Sequence, residues 1–527
     1  MKGLFLIGCL ALAIASDSQV LLNNHYADSI AVKYSETITA EELKQHLNIL
    51  ASDKFEGRET GMPGQKAAAE YIVNYFNSLG VPPCVDGSYL QEFPLRTEKT
   101  VDATMAVDEK AHAFFDDFYF FPGFNQTNLK GNLTFAGYGI ESAYYNDYAN
   151  LNAKNKILVV LDGEPFDKSG ASLVTGVQGA SEWSGDWRLK RDVAMKNGAT
   201  ALIILNRDYD QYTGRIKYWL TNPGMKLDMA REERQEVLPT YFVRPEVFDA
   251  MVGGAKKRQA FIKKISKSRN PISKPLKSRV DININREVNT FTSENILCYI
   301  EGSDPLLKHE LVVITAHYDH VGVINGEIHN GADDDGSGTV AAMEIAEAFM
   351  AAKKDGFGPR RSVLVMLVSG EEKGLLGSEW YTEFPVFPLE STVVDLNIDM
   401  IGRKDAEHAD SNYVYLIGSD KLSTTLHQLS EKVNESFVGL TLDYTYNDPK
   451  DPNRYYYRSD HYNFAKNNIP CIFYFSGVHE DYHKPTDDTD KIMYEKTATI
   501  AQLVFLTGWE VANREKRLVV DVENDFR

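Results

Sequence analysis

Residues 311–352 read LVVITAHYDHVGVINGEIHNGADDDGSGTVAAMEIAEAFMAA. The run Leu311 to Thr315 is apolar, β-branched and of strand length. From Gly338 to Ala352 the period changes, with Ala342, Ile345, Ala346 and Phe349 on one helical face. A buried strand, a polar turn and a helix make an α/β unit, and the pattern continues downstream. Ser362 to Val368, Thr392 to Ile398, Tyr413 to Ile417 and Ile469 to Phe475 are further apolar runs of strand length. The expected fold is α/β, a mixed β-sheet with helices on both faces, whose chemistry sits where the strands end.

Upstream, Thr39-Ala40-Glu41-Glu42 is a capping box opening a helix with Leu43, Leu47 and Leu50 on one stripe. A second helix runs from about Pro63 to Leu79, closed by Gly80 and stopped by Pro82-Pro83. Between about Gly131 and Arg279 the texture shifts to short strands (Ile157 to Leu161, Ala201 to Leu205). This segment ends in ten Lys/Arg with no acid between Lys256 and Arg279. The run reads as a solvated helix followed by a Pro-containing linker rather than an anion-binding patch. The expected organisation is a leader (1–15), a main domain in two parts (16–130 and 280–527) and an inserted small α/β domain (131–279).

The chain has 527 residues, 43% hydrophobic and 25% charged, with a net charge of −19. That composition is globular, and its acidity argues against nucleic acid as a partner, since phosphate binding needs clustered cations. Lys2 followed by the apolar run Gly3 to Ala15, with Ala13-Ile14-Ala15 before Ser16, reads as a signal peptide for export to the periplasm or medium. Lipid attachment at Cys9 is the weaker alternative, because only six residues would form its apolar region. No stretch is apolar enough to span a membrane. Cys84, Cys298 and Cys471 form no disulfide framework and have no metal-ligand spacing, so they read as buried small hydrophobes.

Five clusters fall at strand ends: His317-Tyr318-Asp319, the GADDDGSG turn at 331–338, Glu371-Glu372, Asn397-Ile398-Asp399 and Tyr482-His483. One such cluster is ordinarily a turn or a solvated pair. Carboxylates and imidazoles after most of the apolar strands are different, because buried carboxylates are costly unless metals or partners compensate them. Two imidazoles with three carboxylates suit zinc, with cobalt or manganese as substitutes, better than calcium. Five ligands fit two metals if one carboxylate bridges.

These motifs resemble metallopeptidase family 28, the di-zinc exopeptidases of the aminopeptidase Y and glutamate carboxypeptidase type. Leu47 to Gly64 (LNILASDKFEGRETGMPG), Ala316 to His320, the GADDDGSG turn, Ser369 to Gly374, Asn397 to Met400 and the Tyr482-His483 segment carry the resemblance, in the family's order. Ala136 to Ile140 and Lys156 to Val160 resemble a protease-associated (PA) domain. The resemblance implies His317 and Asp399 on one zinc, Glu372 and His483 on the other, and Asp334 bridging two Zn2+ per chain. It also implies Glu371 as the base and Tyr482 as donor to the oxyanion. Asp319, two residues from His317, is expected to orient that imidazole through its carboxylate. Asp333 and Asp335 are expected to shape the turn, and Asp460-His461 to be a structural pair. His320, His329 and His479 match no ligand position.

The activity expected is release of N-terminal amino acids from peptides with a free terminus. The alternatives are a carboxypeptidase or dipeptidase using Arg403 or Arg458, a mono-zinc glutaminyl cyclase, and a non-catalytic binding protein.

Overall fold

The structure is a computed structural model and describes residues 29–221, 224–229 and 237–525. The expected leader, with Cys9, lies outside the described residues. The chain forms two compact units, one from residues up to Leu95 and from Phe291 onward, the other from Arg96 to Thr290.

The first unit is built on five strands: β1 (Leu311–His317), β2 (Ser362–Val368), β3 (Thr392–Ile398), β4 (Tyr413–Ile417) and β5 (Cys471–Phe475). Their order is β4-β5-β3-β1-β2, with Thr441–Asp443 beside β4 and residues 296–300 beside β2. β1 runs parallel to β2 and β3, and β3 parallel to β5. β4 is antiparallel to β5, and 296–300 antiparallel to β2. The mixed sheet expected from sequence is therefore present.

Every residue of β1, β2 and β3 is buried, as their near-continuous apolar sequences require of strands covered on both faces. Alternation divides the two cores. Val312, Ile314, Val363 and Val365 pack under α1 (Ala40–Leu50), α2 (Pro63–Ser78), α3 (Gly338–Lys354) and α4 (Tyr494–Asn513). Val313, Leu364 and Met366 face Tyr381 and Phe464 on the opposite side. Helix α1 starts where the capping box predicts, the Glu42 amide donating to Thr39 Oγ1 at 3.3 Å.

The second unit starts before and ends after the 131–279 segment read from sequence texture. Within it, Leu90–Val107 contributes residues 104–107 to a pairing with Lys110–Ala113, and Phe118–Phe120 pairs with Thr240–Val243. These short pieces carry no apolar run long enough to show in the sequence. Residues 157–160, 201–205 and 240–243 run parallel at its centre. The basic helix forms over Ala255–Ser268 with Phe261 and Ile265 buried. The segment beyond it, expected as a linker, is instead a strand from Ser273, antiparallel to Asn128–Ala136. Pro275 sits opposite Thr134, next to a register shift, where a missing N–H is tolerated. Cys298 and Cys471 are buried and Cys84 partly so, all as free thiols. Among the described residues no helix is long and apolar enough to cross a membrane.

Phe349 of α3 is fully buried, its ring centroid 4.6 Å from that of Phe505 and 5.9 Å from that of Trp509. Phe349→Ala should destabilise this unit by about 3–5 kcal/mol, read as a lower urea midpoint in Trp509 fluorescence.

Candidate metal centre

The parallel strands deliver their chemistry to one edge of the sheet. β1 ends at His317, β2 leads into Ser369-Gly370-Glu371-Glu372, β3 leads into Asp399, and the loop after β5 returns through Tyr482-His483. The acidic turn 332–337 lies between β1 and α3 and is wholly buried. Two glycines make that packing possible. Gly331 has φ +58°, and a Cβ there would lie 2.5 Å from the His320 ring; a Cβ on Gly338 would lie 2.4 Å from Asp335 Oδ1.

The site is tied together from several directions. Asp335 Oδ1 accepts from the amides of Gly338 (2.9 Å) and Met400 (3.0 Å), while Oδ2 accepts from the His317 amide (3.2 Å). That one carboxyl joins the end of β1, the exit of β3 and the start of α3. Asp487 Oδ2 accepts from the amides of Asp333 (3.0 Å) and Asp334 (3.2 Å). Asp333 Oδ1 accepts from the Gly402 amide (2.6 Å) and the Ser337 hydroxyl (2.9 Å). The flanking acids thus hold the turn.

The Asp334 side chain, between them, makes no such structural bond. Its Oδ1 lies 3.4 Å from His317 Nε2 and its Oδ2 3.0 Å from His483 Nε2. His317 Nε2 is also 3.7 Å from Asp399 Oδ1, and His483 Nε2 is 3.2 Å from Glu372 Oε2. The five expected ligand residues therefore converge, with Asp334 touching both histidines. Glu371 Oε2 lies 3.9 Å from His317 Nε2. Glu371 and Tyr482 line the same cleft as Asp334 and Asp399, with Phe473, Phe475 and Arg458 nearby.

Asp319 behaves differently from expectation. β1 stops at His317, so the alternation of an extended strand does not carry to Asp319. His317 Nδ1 lies 3.1 Å from the Asp319 carbonyl oxygen and 3.7 Å from the carboxylate. That carboxylate accepts from the Thr60 hydroxyl (2.7 Å) and the Glu371 amide (3.3 Å), so it joins the ends of β1 and β2.

The donor set fits metal ions by two observations. His317 Nε2, Asp334 Oδ2 and Glu372 Oε1 are buried without a hydrogen-bond partner. Buried polar atoms are rarely left so. The spacings between donors from different side chains, 3.0–3.7 Å, also match atoms sharing one ion, which sit roughly 3 Å apart around zinc. Two sets of three donors also lie within 4.8 Å of one another, His317 with Asp335 and Asp399, and His320 with Asp334 and Glu372. Asp335 is the poorer donor, since both its oxygens are already held by three amides.

The charges confirm how acid-rich the edge is. Burial alone would lower the His483 pKa, but the Asp334 and Glu372 carboxylates hold it up at about 10. Burial and the Asp334 charge would raise Glu372, but His320 and His483 pull it down to about 2. For Glu371, burial, then Glu372 and Asp399, outweigh the opposing His317 and push it well above the carboxylate range.

Residues given no individual role from the sequence also serve the site. Arg58, 1% exposed, donates to the carbonyls of Tyr318 (2.8 Å), Leu50 (2.9 Å), Asn330 (2.7 Å) and Gly331 (2.9 Å). His479 Nε2 lies 3.2 Å from Asp333 Oδ2, and His329 Nδ1 3.1 Å from the His483 carbonyl. With His320, whose ring packs against Gly331, the three histidines adjacent to the motifs therefore lie around the site. Asp460 is buried beside the Ser378 hydroxyl at 2.5 Å, and burial takes His461 down to about 3. Arg403 is occupied by Asp481 at 3.1 Å.

An α/β domain whose parallel strands bring imidazoles and carboxylates to one edge has the architecture of a metal-dependent hydrolase. Residues 295–507 match the model of peptidase family M28. It is 27% identical over 236 residues to aminopeptidase YwaD of Bacillus subtilis (strain 168), covering 43% of this chain and 46% of that relative. It is 24% identical over 374 residues to leucine aminopeptidase 2 of Trichophyton equinum, covering 67% and 70%. The chain thus spans less than half of the first relative's length in their match. An aminopeptidase from Aneurinibacillus sp. strain AM-1 shares the fold at TM-score 0.52 and 19% identity, over 94% of this chain and 98% of that one.

Arg58→Met would leave four carbonyls without their donor and remove a buried cation whose charge acts on Asp319, Asp334 and Asp335. A loss of about 3–5 kcal/mol is expected, seen as a lower thermal midpoint. Arg58→Lys should recover only part of it, because one ammonium cannot span four separated acceptors.

Proposed function

We propose that the protein is a co-catalytic di-zinc exopeptidase that releases N-terminal amino acids from peptides. The observation that carries this reading is the position of Asp334 between two histidines, each facing a further carboxylate. His317 and Asp399 would hold one ion, His483 and Glu372 the other, and Asp334 would bridge. When bound, such a metal pair supplies Lewis acidity, lowering the pKa of water and polarising a carbonyl.

The remaining work belongs to the chain's own residues. Glu371 faces the cleft with a proton affinity raised by burial and by neighbouring carboxyls, which suits a group that takes a proton from the attacking water and returns it to the leaving amine. Burial also raises the Tyr482 phenol, keeping it protonated as a hydrogen-bond donor to the oxyanion. The acidic cleft complements a substrate ammonium, and Phe473, Phe475 and Met400 beside it suit an apolar side chain. The second unit is proposed to be a PA-like domain on the resemblance of residues 136–140 and 156–160.

Arg458 in the same cleft favours one second reading, a carboxypeptidase or dipeptidase that binds a terminal carboxylate. Hydrolysis of one peptide in free and N-acetylated forms separates the two. Cleavage of the free form alone, abolished by chelation and restored by zinc, is the expected result. Cleavage of both forms would shift the assignment to carboxyl-end recognition.

Glu371→Gln should retain both metals by elemental analysis and lose turnover by roughly 10²–10⁴-fold. Retained turnover would remove Glu371 as the base.

A further inference from the structure

His320 has no role in the reading above, yet it is fully buried beside the proposed centre. Its amide donates to the Arg58 carbonyl at 3.2 Å, and its ring packs against Gly331, where a Cβ would come within 2.5 Å. Neither ring nitrogen has an aligned hydrogen-bond partner. The Nδ1 atom nonetheless lies 2.8 Å from Glu372 Oε1, and 3.7 Å from Asp334 Oδ2. A buried histidine in a satisfied core would not be left in that state.

We infer that His320 is a positioning residue for Glu372, donating its Nδ1–H to Oε1 so that Oε2 is presented to the metal. This rests on the di-metal reading. The two oxygens of Glu372 already divide in this way, with Oε2 3.2 Å from His483 Nε2 and Oε1 facing His320. Alignment requires a reorientation of the ring or the carboxylate, and the terminal carboxylate torsion is soft. The alternative, His320 as a ligand, is disfavoured on two counts. Its 3.7 Å separation from Asp334 Oδ2 is longer than the 3.0 Å of His483. A fourth protein ligand would also close a site that must keep a position open for catalysis. Partners that orient metal-bound carboxylates typically change affinity by about 10–100-fold when removed.

The test is zinc affinity, measured by competition with a chromophoric chelator on the full chain, with stoichiometry by elemental analysis and Co2+ absorption as a probe of coordination. His320→Leu should weaken one of two zinc ions by about 10–100-fold and leave the other unchanged. His320→Asn, whose amide nitrogen falls near Nδ1, should restore most of the affinity. His320→Gln, which places its nitrogen near Nε2, should not. If His320→Leu does not fold, the Asn and Gln pair carries the same comparison. Two zinc ions held by His320→Leu or by His320→Gln as tightly as by the wild type would overturn the inference. So would a Co2+ spectrum showing a lost ligand in the Leu variant. Wild type that binds no divalent metal would instead sink the di-metal reading itself.

Discussion

The concentration of buried carboxyl groups at one edge of the first unit's sheet is the constraint on which the rest depends. Asp319, Asp333, Asp334, Asp335, Asp399 and Asp487 are each less than a tenth exposed. An unpaired buried carboxylate costs several kcal/mol, so such a cluster persists only if compensation is built around it. Main-chain amides provide one part, aimed at Asp335 and Asp487 by strand ends and the start of α3. Arg58 provides a second, a cation delivered without a direct ion pair and anchored on four carbonyls. Imidazoles are the third, and the oxygens left over are those that face inward between them. In the proposed di-metal reading a protonated His483 and a metal ion would compete for that inward space, which would couple metal binding to proton release.

The three consecutive aspartates of the turn show how finely this compensation is divided. Asp333 and Asp335 spend their oxygens on amides, one hydroxyl and the facing His479. Asp334 is held only through its main chain, by Asp487, and so its side chain is free to meet two histidines. A turn that tolerated any of the three as the inward residue would place the charge differently in every fold of the chain. The flanking bonds make the middle residue the one that faces the site.

Much of this was legible because parallel strands covered on both faces must be written as unbroken apolar runs. β1, β2, β3 and β4 could be read directly, and the residues following several of them stood out as the wrong chemistry for loops. What could not be read has the opposite character. Arg58 lies within the Leu47 to Gly64 motif, but its individual role could not be read there, because its burial is set by carbonyls at 318, 330 and 331, far along the chain. The partner of His317 Nδ1 turned on whether β1 continued one more pair of residues. The strand from Ser273 was obscured by Pro275 and by surrounding lysines, since its pairing depends on a register shift that no local pattern encodes.

Glu371 and Glu372 make the limit sharpest. They are identical side chains on adjacent residues at the end of one strand, and no propensity distinguishes them. Their environments push them in opposite directions, Glu372 down to about 2 by His320 and His483, Glu371 well up by burial and by its acidic neighbours. In the proposed mechanism, paired carboxyls driven apart in this way would divide the roles of ligand and proton carrier between them. Neither role resides in the glutamate itself. Each is conferred by groups that arrive from β1, β3 and the loop after β5, so the chemistry of the pair is a property of the assembled sheet edge.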